Sequence, residues 1–374
     1  MNSHPIPSNI RTALTDLFQI RYPIVLAGMG GGVTTPQLVS AVSNAGGLGV
    51  LGANGVPPEQ LQIQIRTIKS MTSKPFGVNF LLSHIEKYGN KNALEVESVL
   101  NKLRLEIQIP PKASPDYDNE IPKPDTSLQD QLDVVFEERV PIIAFGLGDP
   151  SKYVQECHEL GIKVTAMVTS VKEAIQVADS GVDAIVAQGS EAGGHRSTFE
   201  LDENGNGIQI GTMALIPQVV DAVRDRPVIA AGGIMDGRGI VASLALGARG
   251  VQLGTRFLVA VESGVFHAYK RKLLASSETD TVVTKALTGR PARAIKNRIV
   301  TMFDKPSIIP LPWPIQDMEA DDIYMAAKKI DNPDYAPLYA GQGLRLLKDR
   351  QSAAKIIEEL VTETNEAKDR LQNL

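Results

Sequence analysis

Residues 183–195 read DAIVAQGSEAGGH. The run from Ala184 to Ala187 is apolar at every position, as a strand buried on both faces requires. It closes on Gln188 and Gly189, and Glu191, two more glycines and His195 follow within six residues. A buried strand therefore ends in a loop that presents polar side chains. Ser190 lies outside any G-x-S-x-G context and has no evident triad, which argues against a hydrolase. Ser190 and Glu191 receive no catalytic role.

The same unit recurs along the chain. Apolar runs at 23–28, 48–52, 75–82, 141–148, 163–168, 183–189, 227–233 and 250–257 read as eight strands, separated by segments with apolar residues at helical spacing. No strand leads into G-x-G-x-x-G with an acidic residue about 20 positions on, so a dinucleotide-binding open sheet is disfavoured. The expected class is α/β, a (β/α)8 barrel. Two stretches break the rhythm. Residues 84–130 are polar and Pro-rich and read as a surface insertion after the third strand. Residues 261–340 are too long for a loop and read as a smaller, mainly helical lid inserted after the eighth strand. The expected organisation is thus a barrel over 1–260, a lid over 261–340, and a C-terminal helix over 341–374 that packs back on the barrel.

Composition narrows the function. The 374 residues carry a net charge of -5, without the basic footprint of a nucleic-acid binder. Cys157 is the only cysteine, so no internal disulfide forms, and it reads as a packing residue on a helix with His158 on that helix's outer side. The five histidines show neither HxH nor HExxH spacing, so no metal site is expected. No signal peptide and no membrane span are evident, and a cytoplasmic protein is expected.

Active sites of such barrels sit at the C-terminal strand ends. Here these ends are glycine-rich: AGMGGG (27–32), AQGSEAGGH (187–195), AAGGIMDGRG (230–239) and QLGT (252–255). The last two lie on the seventh and eighth strands, where free N–H groups can cradle a phosphate. Asn79 and Gln188 interrupt apolar strands. Each amide either bonds a neighbouring strand or meets a polar ring edge, and the pyrimidine end of a flavin would suit both. His195, carried by Gly193 and Gly194, is the candidate general base. The basic run Arg290, Arg293, Lys296 and Arg298 reads most simply as a solvated face, with the edge of the cleft as the alternative.

VAQGSEAGGH, AAGGIMDGRG and GVQLGTRF, in this order, resemble the nitronate monooxygenases, most closely their class I group. NAGGLG, TGRPARAIKNR and YAGQG (339–343) extend the resemblance over nearly the whole chain. It implies a barrel with non-covalent FMN, His195 as the catalytic residue, and FMN contacts at Ala27, Gly28, Met29, Asn79, Gln188, Gly193, Gly232, Gly233, Gln252, Leu253, Gly254 and Thr255. It further implies oxidation by O2 of an alkyl nitronate, such as propionate 3-nitronate, to a carbonyl compound and nitrite through a flavin semiquinone, in a monomer or homodimer. NADH-dependent FMN reductases that act on a quinone or an enoyl thioester are similar over the same stretches and form the alternative. The chain departs from the family at Ala27-Gly28-Met29, where Ala-Pro-Met is usual. It departs again at PLPWPIQDMEADDIY (310–324), where Trp313 and Tyr324 replace the usual tyrosines.

Overall fold

The computed structural model describes residues 10–82, 93–113, 127–305 and 308–373. His84 and most of the Pro-rich stretch of the insertion lie outside them. Among the described residues eleven strands are formed: β1 (Ile24–Leu26), β2 (Gly49–Gly52), β3 (Phe76–Leu81), β4 (Ile142–Gly146), β5 (Lys163–Val168), β6 (Ala184–Gln188), β7 (Gly194–His195), β8 (Val228–Ala231), β9 (Gly250–Leu253), β10 (Thr281–Thr284) and β11 (Ala292–Ile295). Eight of them pair in parallel in the order β1-β9-β8-β6-β5-β4-β3-β2. A parallel bridge between Val25 and Leu48 joins the two ends, with Leu26 N–H donating to the Leu48 carbonyl at 2.9 Å. The sheet closes into the (β/α)8 barrel expected from the apolar runs.

Side chains alternate between two cores, as a period of two demands. Val25, Val50, Ile142, Val186 and Ile229 form one cluster with Leu14 and Phe18 of helix Ala13–Phe18. This is the barrel interior, closed from below by that helix. Their strand neighbours Ile24, Leu51, Ile143, Ile185 and Val228 belong to the larger layer between barrel and helices. Cys157 sits fully buried in that outer layer, where burial pushes its thiol up to about 12, so it packs as an apolar residue. The eighth run is shorter than the sequence suggests. Ala27 N–H takes the Leu253 carbonyl at 3.0 Å, and the chain then turns at Gly254 into the short helix Thr255–Leu258.

The segment after the barrel holds helices His267–Ala275, Arg298–Met302 and Ile315–Lys329, but also an antiparallel sheet in the order β10-β11-β7. One strand of that sheet, β7, comes from the barrel loop that carries His195. The insertion is more than surface decoration. Its helix Ala93–Glu106 turns Val96, Val99, Leu100 and Leu103 onto Ile299, Val300, Ile315 and Ile323, so the two irregular stretches share one core. Overall polarity hid this apolar stripe. The terminal helix Ala353–Gln372 packs on helices Pro36–Asn44 and Gly237–Ala245.

Arg104 locks the insertion to the lid. Its fully buried guanidinium pairs with Glu97 at 2.7 Å and Asp322 at 3.0 Å, and it donates to the Glu319 carbonyl at 2.7 Å. Burial still holds the Glu97 carboxyl above its usual range, against the pull of Arg104. Arg104→Ala would leave Glu97 buried and uncompensated. It is expected to cost about 3–5 kcal/mol in denaturant unfolding.

Candidate active site

β6 ends where two arginines and a carboxamide meet. Arg196 is fully buried, and its donors go to carbonyl oxygens: Nη1 to Gly189 at 2.7 Å, Nη2 to Gln188 at 3.0 Å and Nε to Ile208 at 3.2 Å. Burial, and then the charge of Arg293, lower its pKa to about 10, so it stays cationic. Gln188 spans the turn itself. Its Nε2 donates to the His195 carbonyl at 2.9 Å and its Oε1 accepts from Ser197 N–H at 2.9 Å. The amide bonds neighbouring backbone, and one Nε2 hydrogen is left for a ligand.

The Glu191 carboxylate accepts from the backbone and hydroxyl of Thr212, at the start of helix Thr212–Ala222. Gly193 packs on the chain at 340–341, where a Cβ would come within 2.6 Å of the Ala340 and Gly341 backbone.

His195 pairs with Ala292 across β7 and β11. Its Nε2 lies 2.8 Å from the Thr288 hydroxyl. The Trp313 ring stands edge-on with centroids 5.2 Å apart, and the Tyr339 ring is tilted at 5.5 Å. Two further contacts seat these rings. Tyr269 Oη donates to the Tyr339 carbonyl at 2.6 Å. Gly289, at φ +86, lets the turn after Thr288 press on residues 311–313, since a Cβ there would meet the Leu311 carbonyl at 2.2 Å. Burial first, and then Arg290, lower the His195 pKa to about 4, so the imidazole is neutral at pH 7.

Three carboxamides occupy inward-pointing positions of the barrel. Gln188 and Gln252 fall in one register row with Ala231 and Val25, and Asn79 pairs with Ala144. Among the described residues, the Asn79 and Gln252 amides make no hydrogen bond, and neither do the N–H groups of Gly232, Gly233 and Gly254. Gly28 packs against Asn79, whose Cβ would lie 2.4 Å from any Cβ placed there. The substitute for the family's proline thus makes room for the carboxamide. Met29 accepts from Thr34 N–H at 3.2 Å and from the Thr34 hydroxyl at 2.9 Å, which fixes the loop after β1. At the end of β9, the Thr255 hydroxyl accepts from Gly341 N–H at 2.9 Å.

Only half of the basic run is a solvated face. Arg290 and Arg293 are buried. Arg290 donates to the Thr198 carbonyl, and Arg293 donates to the Ser190 carbonyl at 3.0 Å. Lying on or beside β11, they grip the loop it pairs with, whereas Lys296 and Arg298 do face solvent. Sequence reasoning gave no role to Arg196, Thr288, Tyr339 or Asp317. Of these, Thr288 and Tyr339 carried a signal, as the first residues of TGRPARAIKNR and YAGQG. The Tyr324 hydroxyl donates to the Leu287 carbonyl at 2.6 Å.

Asp317 lies on the lid helix one turn beyond Trp313, half-buried and without a hydrogen bond among the described residues. Burial, and then the charge of Asp321, raise its pKa to about 7. The unfolded chain releases this proton near the ordinary carboxylate value, so ionisation costs the folded state progressively as pH rises from about 4 to 7. Asp317→Asn is therefore expected to raise the thermal midpoint more at pH 8 than at pH 5. Equal shifts at both values would remove the perturbed carboxyl.

A family model described as nitronate monooxygenase matches residues 11–363. A Staphylococcus saprophyticus protein named probable nitronate monooxygenase is 39% identical over 96% of this chain and 99% of its own. A Staphylococcus haemolyticus protein of the same name is 40% identical over 93% and 97%. Nitroalkane oxidase from Streptomyces ansochromogenes superposes with a TM-score of 0.85 at 35% identity, covering 96% of this chain and 100% of that one. FabK from Thermotoga maritima follows at 0.77 and 34%, covering 97% and 99%. The chain belongs to the nitronate monooxygenase family and is an oxidoreductase built on a (β/α)8 barrel.

Proposed function

We propose that the protein binds FMN at the mouth of its barrel and oxidises alkyl nitronates with O2, releasing a carbonyl compound and nitrite. Propionate 3-nitronate is the physiological candidate. The observation that carries the reading is His195, a neutral imidazole at a strand end, boxed by Trp313 and Tyr339 and tied through its carbonyl to Gln188, in a barrel whose inward Asn79 and Gln252 amides make no hydrogen bond among the described residues.

The donor set suits FMN. Asn79 and the spare Nε2–H of Gln188 offer amides to a pyrimidine edge. The N–H groups of Gly232, Gly233 and Gly254 suit a phosphate, with Gln252, Leu253 and Thr255 completing the eighth-strand wall. Ala27, Gly28 and Met29 would line the ring, and Gly193 would hold the loop beneath it. Bound FMN supplies the electron transfer between the organic substrate and O2.

The protein's own part is binding and proton movement. A neutral imidazole takes the α-proton of a nitroalkane, and the electron pair of the C–H bond moves onto the nitro group. A substrate that arrives as the nitronate needs no base. The bound anion favours the protonated ring and draws the His195 pKa upward from its resting value. Trp313 and Tyr339 exclude water from one side of the pocket.

His195→Asn is expected to retain FMN and lose most turnover of neutral nitroalkanes, measured as nitrite release in air. Unchanged turnover would remove the base. The likeness to FabK supports a second reading, an NADH-dependent FMN reductase acting on a quinone or an enoyl thioester. Anaerobic mixing separates the two: NADH should leave the flavin oxidised under the first reading and bleach it under the second.

A further inference from the structure

We propose that Thr288 is a positioning residue for His195, holding the imidazole at Nε2 so that Nδ1 is the nitrogen that meets the substrate. The inference rests on the base assignment above and specifies which atom performs it.

The geometry carries the assignment. The Thr288 side chain is buried, and its Oγ1 lies 2.8 Å from His195 Nε2. Nδ1 makes no hydrogen bond with the described residues. The turn that bears Thr288 is itself fixed, because Gly289 presses on residues 311–313 and Arg290 grips the Thr198 carbonyl. A small displacement of this turn would move the ring.

A hydroxyl both donates and accepts, so it serves either neutral tautomer. In the first, Nε2–H donates to Oγ1, and the Thr288 hydrogen is left facing the Arg290 carbonyl at 3.5 Å. Nδ1 then holds the lone pair that attacks the substrate. The α-C–H bond breaks, an N–H bond forms at Nδ1, and the carbon's electron pair passes to the nitro oxygens. The imidazolium so formed keeps Nε2–H on Oγ1, which stabilises charge beside the unfavourable Arg290 cation. In the second tautomer, Oγ1–H donates to Nε2 and Nδ1–H donates to a nitronate oxygen. One ring thus serves both substrate forms, and rotation of a single hydroxyl selects between them. A protonated ring is not required to bind the nitronate.

The two roles separate experimentally. A hydrogen bond to a charged group is worth about ten- to a hundredfold in an equilibrium. In the flavin-loaded enzyme, Thr288→Val removes the hydroxyl while keeping the side-chain shape. It is expected to lower kcat/KM for nitroethane by about tenfold or more. For preformed ethyl nitronate, which needs no proton abstraction, the expected loss is under about threefold. Thr288→Ser should restore the nitroethane value to within about twofold of wild type. Equal proportional losses on both substrates, or no loss on either, would overturn the proposal.

Nitrogen-15 NMR of the histidine-labelled protein provides a second readout, in which Thr288→Val shifts the His195 ring nitrogens and Thr288→Ser does not. Unshifted nitrogens in Thr288→Val would also overturn it. If the valine variant does not fold, Thr288→Ala serves in both measurements. A wild-type enzyme that releases no nitrite from ethyl nitronate would defeat the nitronate reading instead, and the NMR comparison would still decide the contact.

Discussion

A buried guanidinium bonded only to carbonyl oxygens holds this site in place. Arg196 takes the carbonyls of Gln188, Gly189 and Ile208, the last turn of β6 and the start of the chain that returns to the barrel. A cation in such a place is costly unless its donors are satisfied, and the carbonyls at the turn gain a donor from it, Gly189 in addition to the one it has from Ala192 N–H. The requirement is mutual, so the loop has one low-energy course. Gln188 adds a second tie across the same turn, from the His195 carbonyl to Ser197 N–H. His195 is thereby set from its backbone before any side-chain contact is counted.

That backbone is also the seam between barrel and lid. The two residues of β7 pair with β11, and the chain at 338–340 bonds to the same strand through Ile295 N–H to the Leu338 carbonyl and Ala340 N–H to the Arg293 carbonyl. His195 from the barrel and Tyr339 from the end of the segment after it therefore meet on one strand. The insertion reaches the same assembly from the other side, through the Arg104 cluster and the shared core. The segment after the barrel and the insertion share one core beside the rings that face His195.

The barrel was legible because its signal is local. Each strand is a short, continuously apolar run, and each strand end carries its own glycines. The inward carboxamides were legible too, since Asn79 and Gln188 interrupt such runs. The basic run misled because a count of charges does not distinguish a solvated guanidinium from one bonded to carbonyls. Arg290 and Arg293 became buried only when residues about a hundred positions earlier returned as β7. Thr288 stands 93 residues from the histidine it touches, and no pattern within a segment encodes that contact. The insertion's apolar stripe was visible in principle at helical spacing, but the surrounding polar, Pro-rich sequence outweighed it.

Electrostatics explain why the support is built this way. An exposed histidine titrates near 6.5 and would be partly cationic in use. Here burial and Arg290 keep the ring neutral until about pH 4, a state fit to accept a proton rather than to attract an anion by charge. Such a ring depends on hydrogen bonds for its orientation, because no ion pair holds it. Nearby, Asp317 is held as an acid until about pH 7, so the lid side of the pocket withholds negative charge below that point and acquires it above. Under the proposed function, an anionic substrate would first meet neutral donors rather than a fixed cation. Such an arrangement makes recognition depend on the placement of individual N–H groups, and it gives the rigid carbonyl clamp on β6 its functional weight.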